Sequence, residues 1–264
     1  MASGIVETIR IGNYPNNVPA KPKNGIILSI HVSAIQRKTC CKISTVTQLR
    51  EQVGEGEGER EREGREGYLV RDYYGWKVRR MVQDYSEMRK VALIQALAFH
   101  EPALVFDELF FQFFQAEVLS ALIYRLRNSP PDRYACLVAE AEASADEGEV
   151  VGVVDATAFR DEAVLQHLPA GAQEYLYVSG IAVLNNFRRK KVGSALLEAC
   201  EKLSSKWGME HLVLRAYEDD KGALKLYGNA GYKIAGGDPP WMTTWIGRKR
   251  RVLMIKRPSY LTNW

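Results

Sequence analysis

The chain has 264 residues, 46% of them hydrophobic and 26% charged, which is enough to bury a sizeable core in one large domain or two small ones. Its net charge of +4 sits in the first 50 residues, where seven Lys or Arg face the single acid Glu7, so the remainder sums to −2; the basic balance belongs to a leader-like segment and argues against nucleic acid as a partner of the folded part. Apolar runs such as Val91 to Phe99 and Val118 to Tyr124 fall short of the roughly 18–20 residues that cross a bilayer, so no membrane span is expected.

Residues 1–42 read as an organelle transit peptide: poor in acids, rich in Ser and Thr, and without the long apolar core of a secretory signal. Few arginines and no clear amphipathic helix fit a plastid address, in the stroma, better than a mitochondrial one. The alternative is an unfolded N-terminal extension. Residues 43–67 form a linker, because the run EQVGEGEGEREREGREG from Glu51 alternates charge with glycine and offers nothing to bury. Cys40 and Cys41 lie in the leader. Cys136 and Cys200 are spaced like neither a disulfide framework nor a metal site, and are expected to be buried, inert thiols.

The folded domain is expected to span residues 68–257, followed by a short tail, 258–264. A first strand starts with Leu69 and Val70 and runs toward Tyr73 and Tyr74. Asp84, with Glu87 three residues on, resembles a capping box ahead of a helix over Met88 to Phe99, and Asp107 opens a second helix that Pro130 and Pro131 stop. On that helix Phe110, Phe111, Phe113 and Phe114 could form a binding face, but such a stripe is expected to be core. Strands over Arg133 to Ala139 and Val150 to Ala158 make a hairpin across an acidic turn, Glu142 to Glu149. After a polar connection come a strand (Tyr175 to Val183), a helix (Val192 to Trp207), a strand (His211 to Tyr217), a helix (Lys221 to Ala230) and two final strands (Lys233 to Ala235, Val252 to Lys256). The sum is an α/β chain with a mixed central sheet of about six to seven strands flanked by about four helices.

The run YLYVSGIAVLNNFRRKKVGSALLEAC passes from a strand through a short basic loop into an amphipathic helix. A helix start presents unpaired N–H groups and the positive end of a dipole, and Arg188, Arg189, Lys190 and Lys191 add charge, while Gly193 and Ser194 allow close backbone approach, so the loop suits a pyrophosphate. A solvated helix start is the plain alternative. Among the histidines, His100, His167 and His211 share no ligand spacing, so no metal is expected.

This loop and the later YEDDKGALKLYGNAGY together resemble the GNAT superfamily of N-acetyltransferases. The family's first motif, Arg or Gln, two residues, Gly, one residue, then Gly or Ala, stands here as Arg188-Arg189-Lys190-Lys191-Val192-Gly193, with Lys191 in place of the first glycine. The second stands as Asp220-x-x-Ala223-x-x-Leu226-Tyr227-x-x-x-Gly231-Tyr232, altered only at its first and last residues. The resemblance implies a GNAT-like fold, with the sheet splayed after the strand Tyr175 to Val183 to admit coenzyme A. It implies acetyl-CoA as co-substrate, with Ile181, Ala182 and Val183 along the pantetheine, the Arg188 to Ala195 loop, including Val192, at the pyrophosphate, and Asp220 and Ala223 beside the pantetheine. Tyr227 takes the place of the general acid. Tyr177 stands where some relatives have a catalytic carboxylate, so the base region is expected around Glu174, Tyr177, Glu218 and Asp219, acting through water.

The tail holds Trp241, Trp245 and a basic cluster, Arg248 to Arg251, which in this family would border the acceptor channel or else form a solvated hairpin. The leader, linker and motif spelling resemble the plant plastid branch, which implies protein N-termini and lysine side chains as acceptors. A small-amine acceptor, such as an arylalkylamine or polyamine, and a non-catalytic acyl-CoA-binding regulator remain the alternatives. The sequence carries no signal for oligomeric state.

Overall fold

A computed structural model of the chain describes residues 67–101, 106–141, 148–238 and 249–261. The leader, nearly all of the charged linker, the acidic turn over 142–147, and Trp241, Trp245 and Arg248 lie outside the described residues. The described chain forms one eight-stranded sheet of order β1-β2-β3-β4-β5-β6-β8-β7. Its strands are β1 (Tyr68–Tyr73), β2 (Trp76–Arg80), β3 (Tyr134–Ala141), β4 (Val150–Phe159), β5 (Tyr175–Val183), β6 (Leu212–Tyr217), β7 (Lys233–Gly237) and β8 (Arg251–Lys256). The helices are α1 (Tyr85–Phe99), α2 (Asp107–Asn128), α3 (Glu162–Leu165), α4 (Val192–Lys206) and α5 (Lys221–Asn229).

All neighbouring strands run antiparallel except β5 and β6, which the α4 crossover makes parallel. The central strands β3 and β4 read as near-continuous apolar runs, YACLVAEA and VVGVVDATAF, because both faces of the sheet are covered there. One face buries Leu137, Val154, Leu176 and Leu214 beneath Leu196, Cys200 and Leu203 of α4 and Tyr227 of α5. The other face is divided: α1 and α2 cover Cys136, Val138, Val153 and Ala182, and α3 with its flanks covers Tyr175, Val213 and Leu253. Cys136 and Cys200 are free and buried; burial pushes the Cys200 thiol up to about 12 and raises that of Cys136 well above the usual thiol range, so neither is reactive.

Four features differ from the sequence reading. The first strand is a hairpin: Tyr74 and Gly75 adopt positive φ (56° and 79°), the two-residue turn that suits twisted strands, and Trp76–Arg80 returns as β2, bringing the sheet to eight strands. A short fifth helix, α3, starts within the polar connection, where Asp161 caps the N–H of Ala163. Asp84 caps Ser86 and Glu87 as expected, but the Glu87 carboxylate turns to the Val82 N–H and to Arg79, so the box is half built. The phenylalanine stripe is not core: Phe110 and Phe113 are 54% and 67% exposed, while Phe111 packs edge-on and Phe114 at a tilt against His100. Among the described residues helix α2 packs on α1 and, through Val118, Leu122 and Arg125, on the sheet, and its remaining face is left to solvent. By length and composition alone its 22 residues suffice to cross a bilayer, yet it buries Val118 and Leu122 and carries Arg125 to Asp155 of β4, which makes it part of this sheet's cover.

Candidate functional site

The site originates in a break in the sheet. β5 pairs with β6 only at Leu176↔Leu212 and Tyr177↔Val213, although β5 continues to Val183. Alternate backbone groups of a strand point to opposite edges. The Leu184 N–H donates to Val151 O on the β4 side and the Leu176 N–H to His211 O on the β6 side. Counting by twos from both ends, the N–H groups of Val178, Ile181 and Val183 face the opened edge. A cleft of about 760 Å³ fills this opening, and Tyr177 to Val183 line it. An extended amide-bearing arm can pair there as a sheet neighbour would.

The two counts meet only because β5 holds one residue more than β4 between Ser179↔Asp155 and Ala182↔Val153. This bulge centres on Gly180, whose φ is +60°. A Cβ there would lie 2.8 Å from Gln95 Nε2 and 2.9 Å from Asp155 Oδ2, so with its positive φ the position favours glycine, and a side chain would displace that pair.

Beyond β5 a 3-10 turn (Asn185–Phe187) leads through Arg188 to Lys191 into α4. Lys191 stands at the first-glycine position of the motif and has the left-handed backbone that glycine favours, φ 70°; Arg189 has φ 65°. The loop is held from outside by Trp76 of β2. Its indole N–H donates to Lys190 O at 2.6 Å, and its ring meets Phe187 edge-on at 5.9 Å. Lys191 offers α4 no side-chain cap, and the first intrahelical bond runs from the Ala195 N–H to Lys191 O, so the N–H groups of Val192, Gly193 and Ser194 stand open ahead of it. Arg188, Arg189, Lys191, Val192, Gly193 and Ser194 line the cleft, whereas the Lys190 side chain lies over Phe187 and Ala195 is buried in the core. Gly193 lets α4 and α5 approach closely, since a Cβ would come to 3.0 Å from a Leu226 methyl on α5 and make it shift. A helix start with open N–H groups and three cations fits a pyrophosphate.

Helix α5 closes the other wall. Asp220 caps it, accepting from the Ala223 N–H at 2.9 Å, and both residues line the cleft. Tyr227 is 6% exposed and also lines the cleft, packed edge-on to Tyr232. Burial, and then the Asp220 charge, raise its phenol well above the usual value, so it remains a protonated donor throughout the working range. Tyr177, across the cleft on β5, is likewise raised by burial, with Arg215 and Arg251 opposing.

Glu174 is outside the cleft and pairs with Arg133 at 2.6 Å; Glu218 is taken by Arg250 at 2.8 Å. Among the described residues the acids that line the cleft are Glu101, Asp155 and Asp220, and no group of residues could hold a metal ion. Of the basic cluster, Arg251 shares Asp238 with Arg215, each at 3.2 Å, so much of its charge is already balanced. Sequence reasoning missed Trp76, Gln95, Arg125 and Asp155. The available signal was a lone carboxylate inside the apolar strand VVGVVDATAF.

A family profile described as the acetyltransferase (GNAT) family matches residues 103–232. The chain is 58% identical over 196 residues, 73% of its length and 76% of the relative's, to "GCN5-related N-acetyltransferase 10, chloroplastic" of Arabidopsis thaliana. A second Arabidopsis protein, "GCN5-related N-acetyltransferase 4, chloroplastic", is 39% identical over 57 residues, 22% of this chain and 20% of the relative. Among solved structures, a chain of the NatC complex bound to Gag peptide and CoA shares the fold at 11% identity, with a TM-score of 0.51 over 69% of this chain and 98% of that one. With the split sheet, the bulge and the open helix start in one cleft, and a relative this similar over most of both chains, the chain belongs to the GNAT family of N-acetyltransferases, enzymes that draw their acetyl group from acetyl-CoA.

Proposed function

We propose that this enzyme acetylates protein N-terminal α-amino groups and lysine ε-amino groups in the plastid stroma. The observation that carries the cofactor reading is the continuity of one cleft from the unpaired edge of β5, past the open start of α4, to Tyr227. Bound there, acetyl-CoA supplies a thioester whose acetyl carbon bonds to the amine nitrogen as the C–S bond breaks, one proton leaving nitrogen and one reaching sulfur.

The residues divide that work. The edge N–H groups of Ile181 and Val183 hold and orient the pantetheine arm, and Arg188, Arg189, Lys191 and the α4 start bind the pyrophosphate. Asp220 fixes the start of α5, and with it the position of Tyr227. Tyr227, kept protonated by its burial, donates to the departing sulfur. Glu174 and Glu218 are tied to arginines, so neither takes the amine's proton directly, and water carries it away.

The acceptor class rests on the resemblance to the plastid branch and on the chloroplastic relative. The acid-poor leader supports the address, with a transit peptide over 1–42, a linker over 43–67 and the catalytic domain over 68–257. The test is to incubate the full chain with acetyl-CoA and a mixture of peptides bearing free N-termini and lysines, and to map the products by mass spectrometry. Acetyl groups on α- and ε-amines are expected. Acetylation of spermidine or an arylalkylamine with none on peptides would replace the acceptor assignment.

A further inference from the structure

Beneath the bulge lies a buried polar cluster that the acetyl-transfer reading leaves unused. Asp155 is 1% exposed, in the middle of an otherwise apolar strand. Its Oδ1 accepts from the Tyr134 hydroxyl at 2.6 Å; its Oδ2 accepts from Gln95 Nε2 at 2.9 Å and faces the Arg125 guanidinium at 3.4 Å. Arg125 also covers the Tyr134 ring. Four elements, α1, α2, β3 and β4, thus meet on one carboxylate, and removing a carboxylate from water at several kcal/mol needs a return.

The return is visible at Gln95. Besides Asp155, its Nε2 donates to Gly180 O at 3.3 Å. An amide nitrogen has two hydrogens, and both are thereby used. In a trans peptide the carbonyl and the following N–H point in opposite directions. Drawing the Gly180 carbonyl toward α1 therefore turns the Ile181 N–H the other way, into the opened edge where the cofactor lies. The missing side chain at Gly180 gives Gln95 and Asp155 the room to come this close.

We propose that Gln95 is a positioning residue for acetyl transfer: anchored by Asp155, it fixes the Gly180–Ile181 peptide so that the Ile181 N–H is aimed at the thioester carbonyl oxygen. The inference rests on the acetyl-CoA reading of the cleft. A donor fixed in advance stabilises negative charge developing on that oxygen without reorganising during the reaction, which is where such donors count most.

The test compares the full wild-type chain with Gln95→Met, which keeps length and volume but removes both donors, and Gln95→Asn, which keeps the amide but draws it back by one methylene. With acetyl-CoA and a reactive peptide, kcat is expected to fall about 10- to 100-fold in both, less than the loss of a direct oxyanion donor because the Ile181 N–H remains. KM for the peptide and Kd for CoA, which has no thioester carbonyl, should stay within about twofold. Infrared difference spectra of bound, carbonyl-labelled acetyl-CoA give a readout that core packing would not move: the wild type lowers the carbonyl stretch, and the variants return it toward its free value. A wild type that releases no CoA in the presence of peptides would overturn the acetyl-transfer reading and this inference with it. Wild-type turnover with unchanged kcat and carbonyl stretch in a folded Gln95 variant would overturn the inference alone.

Discussion

Replacing Trp76 with phenylalanine isolates how the cofactor loop is held. The loop keeps two non-glycine residues, Arg189 and Lys191, in left-handed backbone, each at a cost of order 1 kcal/mol. The hydrogen bond from the Trp76 indole to Lys190 O lies between these two residues and opposes their relaxation. Phenylalanine keeps an edge-on ring against Phe187 but removes that donor. It forfeits a hydrogen bond worth about 0.5–1.5 kcal/mol and about 1 kcal/mol of buried apolar surface. A combined loss of about 1.5–2.5 kcal/mol lowers the melting midpoint by about 3–10 °C in a domain of this size. If about 1.4 kcal/mol of it falls on the loop, the binding-ready conformer becomes roughly tenfold rarer and the apparent Kd for CoA rises by the same factor. Calorimetric titration with CoA, alongside a thermal melt, separates the two effects. A lowered midpoint with unchanged Kd would refute the tether and leave Trp76 as a core residue only.

Two further substitutions probe the same wall. Gly193→Val places a branched side chain where even a Cβ comes within 3.0 Å of Leu226, pushing α5 from the α4 start; CoA affinity by calorimetry should fall at least about tenfold, and an unchanged affinity in a folded protein would remove the loop from the binding site. Lys191→Gly relieves a left-handed non-glycine residue but discards a cation at the helix start. Stability should hold or rise by up to about 1 kcal/mol while CoA binds about two- to fivefold more weakly, and a clear loss of stability on denaturant titration would contradict the strain argument.

What the sequence made legible were features written locally. The strand–basic loop–helix run and the spacing from Asp220 to Tyr227 locate both walls of the cleft, and most residues at those positions line it, while Lys190, Ala195 and Tyr232 do not. Strand and helix order came from periodicity, with ends displaced by up to three residues, as at the start of α1. The missing strand β2 follows from a turn that uses Tyr74 where Asn, Asp or Gly is usual, so the hairpin signal was absent. Trp76 and Lys190 are 114 positions apart, and Gln95 and Asp155 60 apart; no local pattern joins them. The phenylalanine stripe misled for a related reason. Helical spacing marks an apolar face but does not say whether the fold supplies anything to cover it, and here Phe110 and Phe113 are left exposed.

In the proposed reaction, acetyl transfer takes place where β5 and β6 part, with Tyr227 donating to the sulfur. Its most direct test is CoA thiol release from acetyl-CoA in the presence of a reactive peptide, measured for the wild type and Tyr227→Phe, with cofactor affinity determined in parallel. The phenylalanine ring keeps the contact with Tyr232 and removes only the hydroxyl. Peptide-dependent release by the wild type is expected, with kcat lower by about 10² to 10⁴ in the variant and Kd for acetyl-CoA nearly unchanged. Equal turnover in the two proteins would contradict the account, leaving the proton to come from water and Tyr227 as a packed aromatic.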